Sequence, residues 1–229
     1  ACYSDFLHTT LTFCRQRASH TAQQLRATPG ITPADMAATL RDHVFQDATR
    51  PVERGVYGAS VCMHAGLTIL RGYQSTASLV AILPPDSPPL VLATGTSAPC
   101  TSVYKPFWPD LPLPDMGPAP TATYDPQTLF WRHEHLHRLT LRNHAASLAL
   151  FAEERDALEA ELLQGALALA HADAETRQAY SRQSLARANA AEEVWLQRLQ
   201  SANLPDIRPW HYRLAWQRFN RQARFPSLA

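Results

Sequence analysis

Three groups of residues in this chain have types and spacings that can do chemistry. His133-Glu134-His135-Leu136-His137 contains the pattern H-E-x-x-H. On a helix, His133 and His137 lie one turn apart on one face and can share a zinc ion. Glu134 would then be general base on a zinc-bound water. Glu153, Glu154 or Glu159 would supply a third ligand. His135 has no part in that scheme, and the same residues serve as an ordinary helix surface, which is the preferred reading. Cys62 and His64 flank Met63. On a strand they share a face, and a Cys–His pair can act as nucleophile and base. No third group is visible to orient the histidine, so a small buried cysteine with a polar neighbour is preferred. His64 stays a candidate for the lining of a substrate pocket. Thr76 and Ser78 share one strand face, and Lys105 sets a cation at a strand end. Gly95-Thr96-Ser97-Ala98-Pro99-Cys100 is a turn whose glycine permits positive φ. It is no phosphate loop, since no Lys follows the glycine and no helix starts there.

The elements that must position these residues can be read from local pattern. Residues 14–27 suggest a short helix ending before Pro29-Gly30. Thr32 is the N-cap of the next helix, with Pro33 at its first position and Asp35 placed to answer the cap. Met36, Ala37, Leu40 and Val44 form its apolar stripe. Residues 56–63 read as a strand. Residues 76–83 read as another, apolar on both faces towards its end and so covered on both sides. PPDSPP at 84–89 must turn. Residues 90–94 return as the next strand, and 102–107 add one more. The result is an antiparallel meander in a layered α+β domain. A proline-rich linker follows at 108–126. Two long helices are expected to fill 127–200, breaking near 171–175 into an antiparallel hairpin. A basic, aromatic tail (201–229) is expected to pack its Trp and Tyr residues onto the body as an amphipathic helix.

Composition narrows the class. The chain has 229 residues, 45% of them hydrophobic, enough for one large domain with an appendage. A net charge of +1 calls for no nucleic acid and no acidic membrane surface. The four cysteines, Cys2, Cys14, Cys62 and Cys100, show no C-x-x-C spacing. They fit a reducing cytoplasm better than a disulfide scaffold. No apolar run reaches the length of a membrane span. No cofactor is expected. A chain opening on Ala1 is expected to be a piece of a longer protein.

Several stretches, in order, carry a resemblance: ITPADMAATLRDH, SVCMHAG, STASLVAILP, TGTSAPCTSVYKPF, LFWRHEHLHR and the leucine-rich FAEERDALEAELL. Together they resemble the secernin/dipeptidase family of cysteine-type N-terminal-nucleophile hydrolases, from about residue 3 to about residue 200. The resemblance implies that residues 1–107 are the C-terminal part of a four-layer αββα sandwich, followed by a long helical region. It implies hydrolysis of a small peptide or amide by an N-terminal Cys whose own α-amino group is the base. That opening segment is absent, and Cys2 sits in a mid-chain context, so Cys2 is not taken as the nucleophile. The family likeness sets Thr76 and Ser78 near the active site as hydrogen-bonding hydroxyls, and lets Lys105 meet a substrate carboxylate. The partners implied are the substrate and the missing N-terminal half or subunit, with a homo-oligomer also open. Two rivals stand beside this reading: a non-catalytic secernin-like interaction protein or remnant, and a zinc hydrolase using HEHLH.

Overall fold

Local chemistry sets the first elements. The computed structural model describes residues 14–43, 55–58, 60–66 and 72–226. Helix α1 spans Cys14–Ala27 and helix α2 spans Pro33–Leu40. Thr32 closes a full capping box on α2: its hydroxyl accepts from the Asp35 amide, and the Asp35 carboxylate accepts from the Thr32 amide. The sheet follows, with β1 at Leu79–Ile82, β2 at Leu90–Ala93 and β3 at Lys105–Phe107. It is antiparallel in the order β1-β2-β3, with Leu79 opposite Ala93 and Val91 opposite Phe107. Pro106 is tolerated because β3 lies at the sheet edge.

The sheet has two unlike faces. Val80, Leu92 and Tyr104 pack against Ala37 of α2 and against Leu163, with Met36, Leu40 and Ile82 around them. On the other side Leu79 is 57% exposed, and Leu83, just past β1, is 74% exposed. The expectation that the first strand is covered on both faces is therefore corrected: helices cover β1 only on its Val80 side, although Lys105 and Phe107 of β3, on the same face as Leu79, are buried. Residues 55–57 form a 3₁₀ turn, and 60–66 carry no strand. The strand expected at 56–63 is thus replaced by a segment whose amides bond elsewhere. The Cys62 amide donates to the Asp42 carbonyl at 3.0 Å, and the Ser75 amide to the Met63 carbonyl at 2.8 Å.

The chain turns helical after residue 128. Helix α3 spans Leu129–Thr140, α4 His144–Leu148, α5 Ala152–Ala168, α6 Ala174–Ala202 and α7 Trp210–Gln222. Where two long helices were expected over 127–200, the first is broken by a 3₁₀ turn at 141–143, the short α4 and a turn at 149–151. Helix α3 is the central one: Trp131, His133, Glu134 and the run from Leu136 to Thr140 are buried. Leu136 and Leu139 join Val103, Phe151, Leu162, Ala188, Trp195 and Leu199 in the main core. Helix α7 lays Tyr212 and Trp216 against Ala65 and Leu141, and the Trp216 indole donates to the Ala65 carbonyl at 3.0 Å. The architecture is mixed α/β, a small three-stranded antiparallel sheet with a helical C-terminal region. A second stacked sheet is not found among the described residues.

Candidate metal and histidine centre

Three separate segments deliver polar side chains to one buried place. The segment just after α2 brings His43. Segment 60–66, held by its bonds to Asp42 and Ser75, brings Cys62 and His64. The turn after β2 brings Cys100. Gly95 sits at φ +67°, as a left-handed turn position requires. The Thr101 amide, the Thr101 hydroxyl and the Ser102 hydroxyl all donate to the Ala98 carbonyl at 3.0–3.1 Å. Arg41 ties this turn from outside, donating to the Pro99 and Ser102 carbonyls at 2.9 Å each. Arg155 donates to the Cys100 carbonyl. With its backbone so bound, Cys100 directs its thiol inward.

His64 is the hub. Its Nε2 lies 3.0 Å from His43 Nε2, 3.8 Å from Cys62 Sγ and 3.6 Å from Cys100 Sγ. Its Nδ1 lies 2.9 Å from His137 Nε2. His137 Nδ1 in turn lies 3.1 Å from Glu134 Oε1. A carboxylate only accepts, so His137 Nδ1–H donates to Glu134. Neutral His137 then has a bare Nε2, which accepts from His64 Nδ1–H. The tautomer of His64 follows: its Nε2 lone pair faces His43 and the two thiols. Helix α3 thus orients a ring on a distant segment.

The electrostatics favour neutral rings and an ionised Glu134. Burial holds the His64 pKa well below the ordinary histidine value, helped by His137, His43 and His144. Burial also lowers His137, against the pull of Glu134, and brings His144 down to about 3. Burial works against ionised Glu134, but His137 and Arg138 overcome it and set its pKa at about 2. Glu134 accepts from Gln74, His137 and Arg138 together, at 2.9, 3.1 and 2.7 Å. Burial, with Cys100 beside it, pushes the Cys62 thiol well up.

The H-E-x-x-H pair does not converge. His133 is on the same helix face as His137, but its Nε2 lies 3.0 Å from both the Thr101 and Ser102 hydroxyls, and its Nδ1 lies 2.9 Å from Glu192. All four ring nitrogens of His133 and His137 face different partners. The two-histidine zinc site weighed as an alternative finds no converging pair of nitrogens here. Two of its three proposed third ligands are also engaged elsewhere: Glu159 pairs with Arg41 and Glu154 with Arg198. Among the described residues, the group that could hold a metal is His43, Cys62, His64 and Cys100, their donor atoms within 4.8 Å of one another.

The other site candidates are dispersed. His64 is fully buried. Thr76 is exposed and lines a cavity of about 510 Å³ with Ala65, Gln74, Arg138 and Trp216. Ser78 Oγ lies 2.5 Å from the Tyr104 hydroxyl. Lys105 is buried, not on the surface, and donates to the Val103 carbonyl at 2.9 Å. It borders a mostly apolar cavity of about 490 Å³ with Phe107, Met116 and Phe130. Burial lowers its pKa, with Glu192 and Glu159 opposing. Cys2 lies outside the described residues. Sequence reasoning missed His43, Cys100 and His144; the only local signal was the Cys62-x-His64 spacing. Comparison with known proteins gave no matching family model, no matching curated protein and no matching solved structure.

Proposed function

We propose that this chain is the C-terminal part of a cysteine-type amide hydrolase, acting on small peptides or amides with a nucleophilic cysteine supplied from outside residues 1–229. One observation carries the reading. The sheet is covered by helices α2 and α5 on its Val80–Leu92 face, while on the opposite face Leu79, Ala81 and Leu83 form an open apolar edge along β1, with Lys105 and Phe107 of β3 buried. An antiparallel sheet with helices on one face and exposed apolar residues along its first strand on the other is compatible with one half of an αββα sandwich. The second sheet would cover the bare side. The stretches that resemble secernins and dipeptidases also bond to one another: Arg41 to the 97–102 turn, His64 to His137, and Ser102 to His133.

The experiment is to isolate the protein from its native source, sequence its N-terminus, and assay dipeptide hydrolysis before and after thiol alkylation. The reading expects a chain or co-purifying subunit that begins with Cys, and hydrolysis abolished by alkylation. Absence of any N-terminal Cys, or hydrolysis that survives alkylation, would overturn it.

A further inference from the structure

We propose that His43, Cys62, His64 and Cys100 bind one zinc ion as a closed, structural Cys₂His₂ centre. The distances carry this. Zinc bonds of about 2.0–2.1 Å to nitrogen and about 2.3 Å to sulfur set tetrahedral ligand-to-ligand edges of roughly 3.4–3.8 Å. The edges from His64 Nε2 are 3.0, 3.6 and 3.8 Å, and all four donors lie within 4.8 Å of one another. Four donors from three segments therefore already lie within about 1 Å of the spacing that one tetrahedral ion requires.

The chemistry of the donors agrees. Two thiolates and two neutral imidazoles around Zn²⁺ make a complex of zero net charge. Such a complex can be buried without a counter-ion. A tetrahedral set of two sulfurs and two nitrogens is the pattern of zinc, not of the oxygen-seeking cations. The surrounding shell is also built. His64 presents Nε2 because His137 and Glu134 hold its Nδ1–H, the second-shell arrangement that fixes metal-ligating histidines. His144 Nε2, 3.6 Å from Cys100 Sγ, can donate its N–H to that sulfur. Cys62, His64 and Cys100 are at most 2% exposed. Four protein donors leave no open position for substrate, so the ion would staple three segments far apart in sequence.

On this inference, ligation proceeds with loss of the two thiol protons to solvent and transfer of the His43 Nε2 proton to its Nδ1. No oxidant or reductant is needed. A disulfide between Cys62 and Cys100 is the competing outcome, and it would leave the histidines without a role.

The test uses the whole chain purified in reducing buffer without chelator. Metal analysis should find about one zinc per chain. Replacement with cobalt should give the intense visible bands of a tetrahedral site and thiolate-to-cobalt charge transfer in the near ultraviolet. Cys62→Ser and Cys100→Ser should each lose that charge-transfer intensity. His144→Ala should keep the metal and bind it roughly 10–100-fold more weakly. His171→Ala, at an exposed position, should change nothing. If the cysteine variants fail to fold, the wild-type cobalt spectrum alone decides. A wild-type chain that takes up neither zinc nor cobalt, or a cobalt spectrum without thiolate charge transfer, overturns the inference. None of these readouts depends on hydrolysis, so this inference and the proposed activity can fail separately.

Discussion

Replacing Glu159 by Gln should lower stability by about 3 kcal/mol. The Glu159 carboxylate accepts from Arg41 Nη1 at 2.9 Å, from Arg41 Nη2 at 2.6 Å and from the Tyr104 amide at 2.8 Å. Both side chains of the pair are only 12% exposed. Gln keeps the shape and can still accept from Tyr104, but it leaves the Arg41 guanidinium uncompensated. Stripping one partner from a buried pair costs about 3–5 kcal/mol. Asp156 stands 3.8 Å from Arg41 and is 57% exposed, so it offsets a little of the loss and favours the lower end of that range. The assay is urea unfolding. With a slope of about 2–3 kcal/mol/M for a chain of this size, the midpoint should fall by about 1 M at unchanged slope. The double variant Arg41→Met/Glu159→Leu should recover about 1–2 kcal/mol of this, since an apolar pair can replace a buried ion pair. It should remain about 1–2 kcal/mol below wild type, because the bonds from Arg41 to the Pro99 and Ser102 carbonyls are lost too. A Glu159→Gln midpoint within about 0.3 M of wild type would refute the reasoning.

Other perturbations reach other parts of the fold. Gly165→Ala would set a Cβ 2.0 Å from the Tyr180 hydroxyl oxygen and 2.6 Å from its ring carbon, so Tyr180 must leave its place between α5 and α6. A loss of about 1–3 kcal/mol is expected, read as a lower Tm. Trp195 is buried, stacks on Phe151 at 5.2 Å and donates to Glu154 at 3.0 Å; Trp195→Ala should cost about 3–5 kcal/mol in the same assay. Glu134 has its pKa lowered from 4.5 to about 2, so between those values the unfolded chain binds more protons than the folded one. Its contribution, on the order of 3 kcal/mol, is full above about pH 4.5 and is lost as pH falls towards 2. Unfolding measured across that window should show the slope in wild type and a flatter profile in Glu134→Gln.

What the sequence shows clearly is whatever short-range chemistry decides. The Thr32-Pro33-Asp35 start of α2 is a capping box written in four residues, and the structure forms it. The hairpin of β1 and β2 follows from two apolar runs around a proline-rich turn that cannot pair. The break before α6 follows from Asp173, which caps the helix through the Thr176 amide. The metal set is different in kind. His43, Cys62, His64 and Cys100 meet only after segments up to 57 positions apart are folded together, so the Cys62-x-His64 spacing is the one local sign of them. His133 and His137 show the converse: a local pattern that tertiary packing dissolves by giving each ring its own partners. Lys105 sits in a strand of three residues whose burial depends on helices far along the chain, which its neighbours do not foretell.

The most direct test of the central claim is X-ray absorption at the zinc edge on the wild-type chain. The account predicts a first shell of two sulfurs at about 2.3 Å and two nitrogens at about 2.0 Å. A shell of nitrogen and oxygen alone, or a chain that holds no zinc after reconstitution, would contradict it.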